Sequence, residues 1–211
     1  MRLHDTFSDK ILTWYKDHGR SFPWRREDLS LYNVLITEIL LWKTRAETIA
    51  GFYDHFFDKY PDPEHLRKAK TTDLLNFLQP LGLQNRRVKM MKMIVENDLD
   101  ESINEERTFR KKCEVGQYIA RATLAIYHGA KSIPIDENIK RLLSRIFDLS
   151  IENVRSISKE VDDYLALLIQ DDHKKVIWAM IDYSSTICTR KNPTCQDCIF
   201  ENQCVHHARM N

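Results

Sequence analysis

Residues 114 to 122 read Glu114-Val115-Gly116-Gln117-Tyr118-Ile119-Ala120-Arg121-Ala122. Gly116 interrupts one helical run and opens another, so the stretch predicts a tight hairpin leading into a helix, with small Ala120 and Ala122 permitting close packing. Such a turn aims free backbone N–H groups outward and makes an anion site suited to phosphate. An ordinary helix–helix turn accounts for the same residues, and both readings stand at this point.

Outward from this turn, apolar residues recur at helical spacing at 31, 34, 35, 39, 41 and 42, at 49, 52, 53, 56, 57 and 60, and at 139, 142, 143 and 146. Every Gly and Pro except Gly51 falls where these stripes break. The pattern contains no convincing strand pair and predicts an all-α chain of about nine to eleven short helices. At 211 residues, 43% hydrophobic and 30% charged, the chain can bury a core, and its composition excludes collagen, low-complexity disorder and a membrane-embedded protein. The longest apolar stretch, Asn33 to Trp42, is about half the ~20 residues of a membrane span and contains Glu38. Met1 to Thr6 has no apolar signal core, and the chain reads as cytoplasmic, without an anchor.

The net charge of +1 points to no polyanionic partner by itself. Its distribution says more: Arg86, Arg87, Lys89 and Lys92 form one basic group, Arg107, Arg110, Lys111 and Lys112 a second, and Lys140, Arg141 and Arg145 a third. Acids collect at Glu96 to Glu106 and at Glu160 to Asp172. Segregation of this kind makes a cationic face for a phosphate backbone, or simply marks the solvated sides of helices.

Four of the five cysteines, Cys188, Cys195, Cys198 and Cys204, lie close together with spacing C-x6-C-x2-C-x5-C. In a reducing compartment such a group predicts metal ligation by thiolates rather than two disulfides. A structural zinc prefers two short knuckles, and only Cys195 and Cys198 form one, so the uneven spacing suits an iron–sulfur cluster better. Cys113 stands apart and reads as a small buried residue.

Two carboxylates stand out. Glu38 shares a helical face with Val34, Leu35, Leu41 and Trp42, so it is paired, hydrogen-bonded or lining a pocket. Asp136 directly precedes the helical stripe that begins at Ile139 and reads as an N-cap. A positive helix end lowers the pKa of such a carboxylate and keeps it ionised, which a site stabilising positive charge also requires.

Taken in order, Phe22-Pro23-Trp24-Arg25-Arg26, Ile36-Thr37-Glu38-Ile39-Leu40-Leu41, Leu81-Gly82-Leu83-Gln84-Asn85-Arg86, Val115-Gly116-Gln117-Tyr118, Asp136-Glu137-Asn138-Ile139-Lys140-Arg141 and Met180-Ile181-Asp182 followed by the cysteines resemble the helix-hairpin-helix DNA glycosylase superfamily. The resemblance is to its iron–sulfur branch, with endonuclease III, the adenine mismatch glycosylases and the archaeal thymine mismatch glycosylases. It implies a six-helix barrel lobe at residues 29 to 134 and a second lobe made of residues 1 to 28 and 135 to 211. That second lobe would carry a [4Fe-4S] cluster on Cys188, Cys195, Cys198 and Cys204. Double-stranded DNA would be the partner of a monomeric protein, bound across the cleft, with the target nucleotide flipped out because chemistry on a base needs it out of the stack.

Residue by residue, the resemblance implies that Asp136 is the catalytic aspartate and that Glu38 donates a proton or hydrogen bond to the departing base. Tyr118 stands where bifunctional members carry a Schiff-base lysine, and a phenol cannot form that imine, so base removal would leave an intact abasic site. Val115, Gly116 and Gln117 would grip a phosphate, Leu83 matches the wedge position, and Trp42 and Lys43 would approach the opposite strand. Arg86 and Lys140 complete the expected DNA contacts. Tyr118 beside Asp136 is similar to the thymine mismatch glycosylases, which implies thymine or uracil opposite guanine as target. Adenine or a modified base is the second choice, adenine being disfavoured because Trp42-Lys43 replaces the paired glutamines of adenine glycosylases and because the sequence stops soon after Cys204, without the domain that inspects 8-oxoguanine.

The sequence departs from the family at the hairpin, where Leu-Pro-Gly-Val-Gly becomes Lys112-Cys113-Glu114-Val115-Gly116. An acid replaces a permissive Gly beside the expected phosphate, and both φ freedom and charge change unfavourably. A non-catalytic damage-binding protein on the same fold is the alternative from another class, and the presence of both Glu38 and Asp136 argues against it.

Overall fold

The computed structural model describes residues 3–97, 104–152, 158–170 and 172–210, and among these it contains twelve α-helices, three short 3-10 turns and no strand. The helix count exceeds the expected nine to eleven because Pro63–Lys68 and Val205–Met210 are separate six-residue helices, too short to show a periodicity of their own. Residues 98–103 of the acidic run 96–106, and Asp171 of the run 160–172, lie outside the described residues. None of the described helices is long and apolar enough to cross a membrane.

The chain forms two compact units, one of residues 21–130 and one of residues 1–20 with 131–211. These boundaries differ from the expected 28/29 and 134/135. Trp24 is buried and stacks on Phe22 at 4.7 Å while tilting against Tyr53 at 5.7 Å, which holds residues 21–28 to the first unit. Ile133 is buried in the same core as Phe7, Leu142 and Tyr183, which assigns the segment after residue 130 to the second unit.

In the first unit, α2 (Leu31–Leu41) is buried from Leu31 to Leu40 except at Asn33, so it runs through the middle as a helix apolar on almost every side. It packs against α3 (Ala46–Lys59), α6 (Gln84–Glu96) and α8 (Gln117–His128). Ser30 caps it by accepting the Asn33 N–H at 3.1 Å, a bond that stabilises a helix start by about 1 kcal/mol. The short α4 (Pro63–Lys68) starts with Pro63 behind an Asp62 cap and ends on Lys92, whose ammonium donates to the carbonyls of Leu66, Arg67 and Ala69 at 2.5 to 3.0 Å. Gly51 lies inside α3, where an added Cβ would meet nothing, so it breaks no helix. The helices α5 (Thr71–Leu78) and α7 (Glu106–Cys113) complete the unit.

In the second unit, α1 (Leu3–His18) and α9 (Glu137–Phe147) both pack on α11 (His173–Thr186), and α12 (Val205–Met210) packs on α9. Phe7 stacks on Phe200 at 5.1 Å, and Tyr183 meets Trp14 and Phe200 edge-on. Asp182, wholly buried, accepts from the Arg20 backbone N–H at 2.8 Å and Nε at 2.7 Å, tying the end of α1 to α11. The eight-residue α10 (Lys159–Ala166) opens on a Ser158 cap.

Candidate active site and nucleic-acid interface

Asp136 caps α9 as its sequence position predicts: Oδ1 accepts the Ile139 N–H at 2.7 Å. Its second oxygen has the Asn138 side-chain amide at 3.5 Å, and the Asn138 carbonyl oxygen accepts both terminal nitrogens of Arg141 at 3.1 Å. Arg141 also donates to the backbone carbonyls of Cys188 at 2.9 Å and Ser184 at 2.7 Å. One guanidinium thus connects the cysteine loop, the end of α11 and the amide beside Asp136. The expectation that the helix end lowers the Asp136 pKa needs correction. Burial pushes this carboxyl above the usual aspartate range and outweighs the hydrogen bonds of Ile139 and Asn138 and the charge of Arg141, all of which pull it down.

The four cysteines of the terminal group are free thiols and line one cavity with Leu142, Ile146, Ile187 and Pro193. Among the described residues no three His, Cys, Asp or Glu side chains are arranged to hold a single metal ion. A multi-iron cluster makes a different demand, four thiolates spread around one enclosed space, and the lining of this cavity fits it. Burial raises the thiol pKa values of Cys195 and Cys198, so as bare thiols they stay protonated, whereas a bound metal deprotonates its thiol ligands. Polar groups already address the sulfurs: Tyr183 Oη lies 3.1 Å from Cys198 Sγ, and Arg145 Nη1 is 3.5 Å from Cys188 Sγ. Arg145 also holds the loop through the carbonyls of Thr189 and Arg190. Cys113 is buried and its thiol is pushed up to about 11 by desolvation, an inert packing residue as the sequence predicts.

In the first unit, Glu38 is 5% exposed on α2 and Tyr118 is half-buried in the first turn of α8, the helix packed against α2. The hairpin between α7 and α8 has Glu114 in the left-handed region at φ 51°, Val115 buried, and Gly116 exposed in extended backbone at φ −69°. An added Cβ on Gly116 would meet nothing within 4 Å. Neither φ nor space inside the chain therefore demands a glycine there, and the room it leaves faces outward, as close approach by a phosphate requires. Gln117 is the first residue of α8, where backbone N–H groups have no partner inside the helix. Glu114 is exposed and makes no hydrogen bond or ion pair among the described residues, while Arg110 is engaged by Glu106 at 3.4 Å. A 2.7 Å ion pair from Glu106 to buried Arg121 braces α7 against α8.

Leu83 is an exposed large hydrophobic, 42% accessible, with φ 52°, and follows Gly82 at φ 69°. Trp42 ends α2, and the next residue, Lys43, is exposed at φ 59°. Arg86 is exposed on α6. Lys140 is different: its side chain is 11% exposed and its ammonium lies 2.9 Å from Glu137 Oε1, so a phosphate has to compete with that carboxylate. The first and third basic groups do not form faces as units. Arg87 is fully buried, Lys92 is spent on α4, and Arg141 and Arg145 hold carbonyls. Sequence charge counting missed these structural roles, although the buried stripe of Arg87, Val88, Met91, Ile94 and Val95 has helical spacing that marks Arg87 as inward-facing.

Similar proteins share this arrangement along nearly the whole chain. A thymine/uracil-DNA glycosylase of Methanothermobacter thermautotrophicus is 29% identical over 208 residues, 96% of this chain and 94% of the relative. An adenine DNA glycosylase of Buchnera aphidicola is 28% identical over 97% of this chain and 60% of its own length. The solved structure of a thermostable thymine-DNA glycosylase superposes with a TM-score of 0.86 at 26% identity, covering 98% of this chain and 97% of its own. The pattern of the HhH-GPD superfamily of base excision DNA repair proteins matches residues 36–166, which include Glu38, the hairpin, Asp136 with the helix it caps, and α10, and the chain belongs to that superfamily.

Proposed function

We propose that this protein is a monofunctional DNA glycosylase that hydrolyses the N-glycosidic bond of thymine or uracil opposite guanine in duplex DNA. The observation that carries this reading is Asp136, a carboxylate fixed at the start of α9 by the Ile139 N–H. Breaking an N-glycosidic bond develops positive charge on the sugar, and an ionised carboxylate beneath C1′ stabilises it and orients the attacking water. Burial raises its pKa, which makes the ionised Asp136 a stronger acceptor for a proton of that water than an exposed aspartate. Glu38, buried on α2, supplies a proton or hydrogen bond to the departing base.

Tyr118 offers no amine, so the product is an intact abasic site. Val115, Gly116 and Gln117 at the hairpin take a phosphate, Leu83 enters the stack, Trp42 and Lys43 meet the opposite strand, and Arg86 and Lys140 meet the backbone. Cys188, Cys195, Cys198 and Cys204 hold a [4Fe-4S] cluster, whose contribution is structural because hydrolysis needs no redox step.

The test is base release from duplexes carrying T·G, U·G, A·G and A·8-oxoguanine, followed by gel analysis with and without alkali and by borohydride trapping. Release from T·G or U·G with strand breakage only after alkali, and no trapped adduct, is expected. Release of adenine alone would transfer the substrate to the adenine class, and abundant trapping would show that an amine forms an imine.

A further inference from the structure

Among the described residues Arg87 is the largest fully buried side chain, and no carboxylate of these residues neutralises it. Burying a guanidinium without a counter-ion costs several kcal/mol unless its donors are satisfied. They are satisfied by two separate turns. Nη2 donates at 2.7 Å to both the Trp42 carbonyl and Thr44 Oγ1, Nη1 reaches the Ile39 carbonyl at 3.4 Å, and Nε reaches the Gly82 carbonyl at 3.4 Å. The turn after α2 and the turn before α6 are therefore fixed to one planar group.

Each of those turns carries a non-glycine residue in the left-handed region, Lys43 at φ 59° and Leu83 at φ 52°, and both side chains are exposed. Such backbone is disfavoured for any residue with a Cβ and persists only where surrounding structure enforces it. An exposed leucine on a strained turn beside a lysine on another has the chemistry of an intercalating device: the apolar tip unstacks a base step and the cation meets phosphate. Extruding a nucleotide costs a few kcal/mol, so a wedge on a yielding turn would move before the duplex opened.

We propose that Arg87 is the positioning residue that makes these two turns one rigid wedge, and that it governs extrusion of the target nucleotide rather than cleavage of its bond. The inference rests on the glycosylase reading above. It assigns no contact between Arg87 and DNA.

The test uses the full-length protein and a T·G duplex with 2-aminopurine next to the target thymine, read by stopped-flow fluorescence, alongside affinity for a fully paired duplex. Arg87→Met is expected to slow the fluorescence rise about tenfold or more while paired-duplex affinity stays within about twofold, and Leu83→Ala is expected to give the same signature without further loss in the double variant. Arg87→Lys, which keeps the charge but not the fork, restores little. If Arg87→Met does not fold, Thr44→Val removes one acceptor and is expected to slow extrusion a few-fold with unchanged helix content. Wild-type extrusion in Arg87→Met, or in Thr44→Val when that variant stands in, overturns the proposal, as does equal loss of extrusion and paired-duplex affinity. No signal from the unaltered protein, together with no base release from any mismatch, instead overturns the glycosylase reading itself.

Discussion

Arg87 in the first unit and Arg141 in the second make a natural pair: each is a buried arginine that donates to backbone carbonyls of separate segments and ties them together. They differ in what surrounds them. Arg141 lies within a polar chain that reaches Asp136 through Asn138; burial lowers its pKa, and the Asp136 charge offsets part of that. Arg87 has no such compensation among the described residues and instead holds turns whose backbone is strained. The second unit places a carboxylate in a fixed electrostatic setting, whereas the first uses the same chemistry to stiffen exposed side chains. On the proposed function, rigidity would serve charge placement in one and mechanical work on DNA in the other.

The largest expected effect falls on the second unit. Protein purified without oxygen is expected to be brown and to contain about four irons per chain, and Cys198→Ser to lose the colour together with cooperative melting of that unit. A colourless protein with one zinc contradicts this.

Next comes the amide between Arg141 and Asp136. Burial raises the Asp136 pKa, and Asn138 opposes this with both its backbone N–H and its side-chain amide; Asn138→Ala keeps the first and removes the second, so it is expected to raise the pKa further by the side chain's share. The acid limb of the excision profile then moves to higher pH, with a severalfold loss on that limb and little change on the plateau. An unmoved limb would show that Asp136 ionisation does not set it.

In the first unit, Glu114→Gly relieves a left-handed non-glycine residue and removes from the hairpin a negative charge that has no partner among the described residues. Stability is expected to rise by about 1 kcal/mol, with a two- to fourfold gain in duplex affinity at low salt that fades as salt rises. A loss of affinity would mean that Glu114 contributes to binding. Smallest is the stability effect at Asp136 itself. Its folded-state pKa lies above the unfolded value, so its ionisation costs stability as pH rises through the folded pKa, and nothing below the unfolded one. Asp136→Asn, an equally good cap, is expected to melt slightly higher at neutral pH and equally below about pH 3. A lower melting temperature at neutral pH contradicts the direction of that shift.

Much of this was legible from residue order. The stripes at 31 to 42, 49 to 60 and 139 to 146 became α2, α3 and α9, the Asp136 cap formed, and Gly116 opened α8. Periodicity reports such features because they are local. The roles of Arg87, Lys92 and Arg141 were not legible, because a cation that caps carbonyls 23 to 48 residues away looks in sequence like a surface charge. The direction of the Asp136 pKa failed for the same reason: the cap is local, but the burial that outweighs it comes from packing.

The central claim is that an ionised Asp136 supports the sugar cation while binding is organised elsewhere. Single-turnover excision from a T·G duplex at saturating enzyme, comparing the unaltered protein with Asp136→Asn, tests it directly. The account predicts a loss of about a hundredfold or more in the variant, with duplex affinity essentially unchanged. Equal excision by the two proteins would contradict it.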